Sequence, residues 1–168
     1  MLEKESILHL CQTVGTMEKI DPRLLAAICE VESNFDQYAV RPEKAWMYWY
    51  PCNPEREENK FKLYCRNLGV WYEAEHYNQR QSWGLCQIMG SVARELGYTG
   101  KYLPGLCDPT QNLSLACKLL NRLYERYKNW EDVKSAYNQG GNYKGDDGKY
   151  RNYQYVNKVN KAMEIIEF

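Results

Sequence analysis

The sequence predicts a mainly α-helical domain, and three observations carry that reading. Apolar residues recur at spacings of three and four in several separate stretches, the period of a helix with one buried face. Two of those stretches open on Asp-Pro, a side-chain cap followed by a proline already set for the first helical position. The chain has 168 residues, 44% hydrophobic and 14% aromatic with 15 Tyr and 5 Trp, which excludes disorder. A domain of this length buries roughly 70% of the surface its unfolded chain exposes, so residues 1–168 are read as one domain.

The first helix is placed at Glu5 to Val14, where Ile7, Leu8, Leu10, Cys11 and Val14 share a face. Asp21-Pro22 opens the second, with Leu25, Ile28, Cys29 and Glu32 on one stripe. Leu25 and Glu32 are seven positions apart, which at about 100° per residue returns nearly to the same face. Glu32 therefore stands where the pattern asks for an apolar residue, whereas Glu30 falls on the solvated side. From Tyr38 to Gln81 the pattern dissolves into polar residues, prolines and aromatics, and a long irregular insertion over about 38–81 is expected. Asp108-Pro109 opens another helix lined by Leu113, Ala116, Cys117, Leu120, Leu123, Tyr124 and Tyr127. A shorter helix runs from Trp130 to Asn138 and stops before Gly140-Gly141. Gly141 to Arg151 reads as a mobile loop. The last helix, Asn152 to Ile166, buries Tyr155, Val156, Val159, Met163 and Ile166. No internal repeat is present.

Charge and cysteine usage narrow the function. With 22 basic and 22 acidic side chains the chain lacks the electrostatic footprint of a nucleic-acid binder. No apolar run reaches the 18 or so residues that span a bilayer. The start, Met1-Leu2-Glu3-Lys4-Glu5, lacks the basic and apolar regions of a secretory signal. The seven cysteines, Cys11, Cys29, Cys52, Cys65, Cys86, Cys107 and Cys117, form no CxxC pair. They fit thiols acting as small core residues in a reducing compartment, with Cys52 and Cys65 the one pair placed to bridge a polar loop. His9 and His76 stand apart from any Cys/His cluster, so neither a metal nor another cofactor is expected.

Glu32 is where chemistry could lie. A carboxyl among apolar neighbours favours its protonated form, and a raised pKa is what a general acid needs near neutral pH. The plain alternative is a frayed helix end that exposes Glu32 to water. Ser33 and Asn34 follow and favour helix ends and turns, which would project Glu32 from a helix terminus into a cleft.

Four blocks in order reinforce the chemical reading: Glu32-Ser33, Gly84-Leu85-Cys86-Gln87-Ile88-Met89, Ala136-Tyr137-Asn138-Gln139-Gly140 and Tyr153-Gln154-Tyr155-Val156. Together they resemble the lytic transglycosylases of the soluble (SLT) type, which share a lysozyme-like fold with goose-type lysozyme. The resemblance covers Leu24 to Val159 apart from the insertion. It implies a peptidoglycan-cleaving enzyme in which Glu32 is the single acid/base. It also implies that Ser33, Gly84, Leu85 and Gln87 line the sugar cleft, that Tyr137 and Asn138 contact substrate, and that Tyr155 approaches the Glu32 carboxyl. Cys86 stands where the family commonly has Met, a soft replacement that keeps the packing. Each has a duller reading: Gln87 satisfying backbone groups, Asn138 ending a helix, Tyr137 and Tyr155 packing in the core. Trp46, Tyr48, Trp49 and Tyr50 either stack on sugars or form a small core of the insertion.

The implied reaction cuts the β-1,4 bond between N-acetylmuramic acid and N-acetylglucosamine with a 1,6-anhydromuramyl product. The sequence departs from the family in the 52 positions between Glu32 and Gly84. The stretch Glu75 to Trp83 looks like variants in bacteriophage cell-wall lysins, an endolysin released from the host cytoplasm to the wall or a virion-associated enzyme. In that case Glu75 or Glu73 is the candidate second carboxylate of a hydrolase that activates water. The remaining alternative is a non-catalytic wall-binding or tail-assembly module. The expected partner is the peptidoglycan glycan strand, met by a monomer, with no nucleic acid and no membrane span.

Overall fold

The computed structural model describes residues 2–168, so only Met1 of the start segment lies outside it. The elements run α1 (Lys4–Glu18), α2 (Pro22–Ser33), β1 (Val40–Pro42), α3 (Glu58–Leu68), α4 (Tyr72–Asn78), β2 (Gln81–Trp83), β3 (Ile88–Met89) and α5 (Gly90–Glu95). A 3₁₀ turn at Leu103–Cys107 leads into α6 (Pro109–Tyr127), α7 (Trp130–Gln139) and α8 (Tyr153–Ile165). The molecule is mainly helical, as the periodicity requires. Asp21 accepts from the Arg23 N–H and Asp108 from the Gln111 N–H, so both Asp-Pro caps act as the sequence implies.

Helix α2 is the axis of the fold. Leu24 to Cys29 are all buried, more than one helical face can present, so neighbours cover it on several sides. It packs on α1 and α8; α1 packs on α6, α6 on α7 and α7 on α8, closing a circuit of five helices. Ile7, Leu25, Ile28, Leu85, Leu113 and Leu120 fill the centre. Cys29 lies 3.4 Å from Cys86 and 4.0 Å from Cys11, Sγ to Sγ. All seven cysteines are free thiols, Cys52 and Cys65 included.

A three-stranded antiparallel sheet, β1-β2-β3, stands beside this circuit. Val40 pairs with Trp83 and Arg41 with Ser82, while Ser82 in turn pairs with Met89. Partners across a sheet share a face and residues two apart on a strand share it too. Arg41 and its near neighbour Glu43 are thereby brought to the side of Ser82 and Met89.

Residues 38–81 are more regular than the sequence pattern suggests. Helices α3 and α4 pack together over Trp49, Cys52, Phe61 and Cys65, a small core separate from the main one. On α3 only Phe61 and Cys65 are buried, between charged residues, so the apolar stripe is too narrow to show as a period. Trp49 belongs to this core and Tyr50 packs edge-on to Tyr64, whereas Trp46 and Tyr48 do not join it.

Candidate active site

Glu32 sits in the last turn of α2 with its side chain only 7% exposed. Burial pushes its carboxyl above the usual range, Tyr155 and Arg41 pull it part of the way back, and Glu43 adds to the rise. The negative end of the α2 dipole acts in the same direction as burial. Arg41 Nη2 is 3.9 Å from Glu32 Oε2, and Arg41 Nε donates to Glu43 Oε1 at 2.7 Å. One guanidinium therefore spans both carboxylates. The Tyr155 hydroxyl is buried with no partner at ordinary hydrogen-bond length, and its own pKa is pushed up by burial first and then by the nearby Glu32.

The Gly84–Gln87 turn between β2 and β3 backs the carboxyl. Gly84 has φ +68°, and a Cβ there would come within 2.6 Å of Asn112 Nδ2 and 2.7 Å of the Leu106 carbonyl, so only glycine fits. Asn112 of α6 donates to the Trp83 and Leu106 carbonyls at 2.8 and 2.9 Å and accepts from the Cys86 N–H at 2.8 Å. Ser33 Oγ donates to the Leu85 carbonyl at 2.8 Å, tying the end of α2 to the same turn. Tyr137 Oη donates to the Cys86 carbonyl at 2.8 Å, fastening α7 to it as well.

Glu32 opens into a cleft of about 740 Å³. Its sheet side carries Arg41, Glu43, Ser82 and Met89; its helical side carries Arg122, Arg126, Tyr137 and Asn138; Trp46 and Tyr48 also line it. Glu43 is held by Ser82 Oγ, which donates to its Oε1 at 3.0 Å. Gln87 lines the cleft while its amide nitrogen donates to the Ala39 and Gly84 carbonyls, both at 3.0 Å. A second pocket of about 490 Å³ shares Glu32, Arg41 and Asn138 and adds Tyr155, Arg151 and Lys158. Asn138 Oδ1 accepts from Asn152 Nδ2 at 3.0 Å, which steadies it between the two.

Several expectations need correction. Ser33, Gly84 and Leu85 line neither pocket: the Ser33 hydroxyl is engaged by backbone, Gly84 abuts Asn112, and Leu85 is wholly buried. They place the cleft wall and do not form it. Glu75 does not enter the cleft; both its oxygens face Arg94, with Oε1–Nε at 2.8 Å and Oε2–Nη2 at 2.9 Å, and Gln79 donates to Oε1 at 3.0 Å. Glu73, two residues before it on α4, is exposed and also lines neither pocket. Glu43 is the acid that the sequence did not single out. It follows a three-residue strand, too short to show alternation, inside the stretch without readable pattern.

The family model of the Transglycosylase SLT domain matches residues 9–160. No curated protein matches the chain.

Proposed function

The chain belongs to the SLT transglycosylase family and is a peptidoglycan-cleaving enzyme, and on that premise we propose that Glu32 is its acid and then its base, with a 1,6-anhydromuramyl end as product. Protonated Glu32 donates to the glycosidic oxygen as the bond to the muramyl C1 breaks, and the N-acetyl group of that sugar supports the oxocarbenium-like centre. The Glu32 carboxylate then accepts the proton of the same sugar's 6-hydroxyl, whose oxygen closes on C1. No water is consumed. The tethered hydroxyl acts at a high effective concentration, so one carboxyl suffices.

The observation that carries this reading is a buried carboxyl, held toward its protonated form, at the wall of a cleft of about 740 Å³. Gln87 and Asn138 are proposed to meet the glycan, Tyr137 to hold the wall, and Tyr155 to orient the Glu32 carboxyl. Trp46 and Tyr48 offer flat faces on which sugar rings stack.

Glu43 keeps a hydrolase reading in view. The Arg41 guanidinium contacts both acids, 3.9 Å from Glu32 Oε2 and 2.7 Å from Glu43 Oε1, which brings Glu43 near enough to be considered as a second carboxylate that activates water. Its Oε1 is already occupied by Arg41 and Ser82, which favours a holding role. Mass spectrometry of digested peptidoglycan decides between them: anhydromuramyl ends support the transglycosylase, and reducing muramyl ends alone overturn it. Glu32→Gln should lower wall clearance by about 10³-fold, the scale of a lost general acid. Equal clearance by variant and parent removes Glu32 from the chemistry, whereas wall binding with no turnover in either protein leaves the wall-binding module.

A further inference from the structure

Three thiols that the glycan chemistry does not use meet in the core behind the Gly84–Gln87 turn. Cys11, Cys29 and Cys86 are each wholly buried, and Cys29 stands between the other two, 3.4 Å from Cys86 and 4.0 Å from Cys11, Sγ to Sγ. A disulfide needs about 2.05 Å between sulfurs, so the Cys29–Cys86 pair must close by roughly 1.4 Å and the Cys29–Cys11 pair by roughly 2 Å. Backbone contacts hold the nearer pair in place. Cys86 donates its N–H to Asn112 Oδ1 and its carbonyl accepts from Tyr137 Oη, both at 2.8 Å, while Cys29 lies within α2. The remaining approach falls to the two side chains.

We propose that Cys29 and Cys86 form a disulfide when the enzyme meets an oxidising medium, cross-linking α2 to the turn that backs Glu32. Peptidoglycan lies at the cell surface, where disulfides persist, so a chain that cuts it acts outside the compartment that keeps thiols reduced. The oxidant is a small-molecule disulfide such as oxidised glutathione. One protein thiolate attacks it, forming a mixed disulfide and releasing one glutathione; the second protein thiolate attacks that bond and releases the other. Two protein thiols give up two electrons and two protons, and one glutathione disulfide becomes two thiols. Burial pushes both protein thiols up, so the exchange proceeds through local opening of the fold. Cys29 and Cys86 are 57 positions apart, and a link across so long a loop restricts the unfolded chain strongly. Cys29 precedes Glu32 by about one helical turn. The bond therefore adds a covalent tie to the Ser33–Leu85 hydrogen bond at the same wall.

The test incubates the reduced full chain with oxidised glutathione a few degrees below its melting midpoint, then alkylates, digests and maps it by mass spectrometry. The main product should be one intramolecular link joining the Cys29 and Cys86 peptides, with Cys11 alkylated. The melting midpoint should rise by several degrees and fall back when dithiothreitol is added. Cys86→Met should abolish the rise while leaving any reaction at Cys52, Cys65 or the half-buried Cys107. Cys11→Ala should keep both the link and the rise. A main link between Cys11 and Cys29, mixed disulfides alone, or no reaction overturns the proposal. So does a link that leaves the midpoint level or lower, or an equal rise in Cys86→Met. Should either variant fail to fold, the peptide map and midpoint of the parent decide the matter alone.

Discussion

Glu32 and the two charges beside it make a titration experiment that reads the site directly. A carboxyl whose native pKa lies above its unfolded value binds its proton more tightly when folded. Its contribution to stability is full below the unfolded pKa of about 4.3 and is lost as pH rises through the elevated native value. Glu32→Gln removes that dependence. Melting midpoints of parent and variant should converge at low pH, and the variant should melt higher near pH 7; a lower midpoint there would mean the carboxylate is stabilised in place. Activity gives the complementary reading, because Glu32 must carry its proton when substrate arrives and kcat/KM falls as pH rises through its pKa. Glu43→Gln takes away the like charge and frees Arg41 to approach Glu32, and both changes move that limb to lower pH. Arg41→Gln moves it to higher pH. Limbs that stay in place in both variants would show that Glu32 is not the group being titrated.

Helices α1, α2, α6, α7 and α8 were legible because their physics is local. Asp21-Pro22 and Asp108-Pro109 carry their own caps, and the stripe from Leu25 to Glu32 brings an acid to an apolar face without reference to any other part of the chain. The turn that backs the acid was legible as a motif, though not in its role. Ser33, Gly84 and Leu85 look like cleft residues in sequence, yet what they do is decided by a carbonyl, an amide and a leucine pocket that come from other elements. Asn112 shows why. It lies on a helix face otherwise apolar, wholly buried, and only the folded chain reveals that its three hydrogen bonds hold Trp83, Cys86 and Leu106 in register. Each buried backbone group left without a partner costs about 1–3 kcal/mol. Asn112→Leu should therefore lower unfolding free energy by about 3 kcal/mol or more in urea denaturation. A cost below about 1 kcal/mol would mean that the turn keeps its geometry by its own backbone.

At the scale of the whole molecule, the stretch from Tyr38 to Gln81 had no readable period because its stability comes from a contact between distant segments. Its small core of Trp49, Cys52, Phe61 and Cys65 is too limited to hold two short helices unaided, and Glu75 supplies what is missing. That carboxylate, on α4, meets Arg94 of α5 with two short contacts in a setting where both side chains are at most 2% exposed. Gln79 extends the link to the Tyr50 backbone, donating to its carbonyl and accepting from its N–H, both at 2.8 Å. An acid in sequence proximity to the Gly84 block thus serves to fasten the insertion to the rest of the fold, and the same insertion delivers Arg41, Glu43, Trp46 and Tyr48 to the cleft. Removing one member of a buried pair leaves the other charge without compensation, at a cost of about 3–5 kcal/mol, whereas replacing both by apolar residues costs much less. Arg94→Met should therefore destabilise by about that amount in urea denaturation. Glu75→Leu combined with Arg94→Met should recover a large part of it, with a coupling that a double-mutant cycle measures. If the two single changes simply add, the pair does not act as a unit, and the insertion must be held by its aromatic core alone.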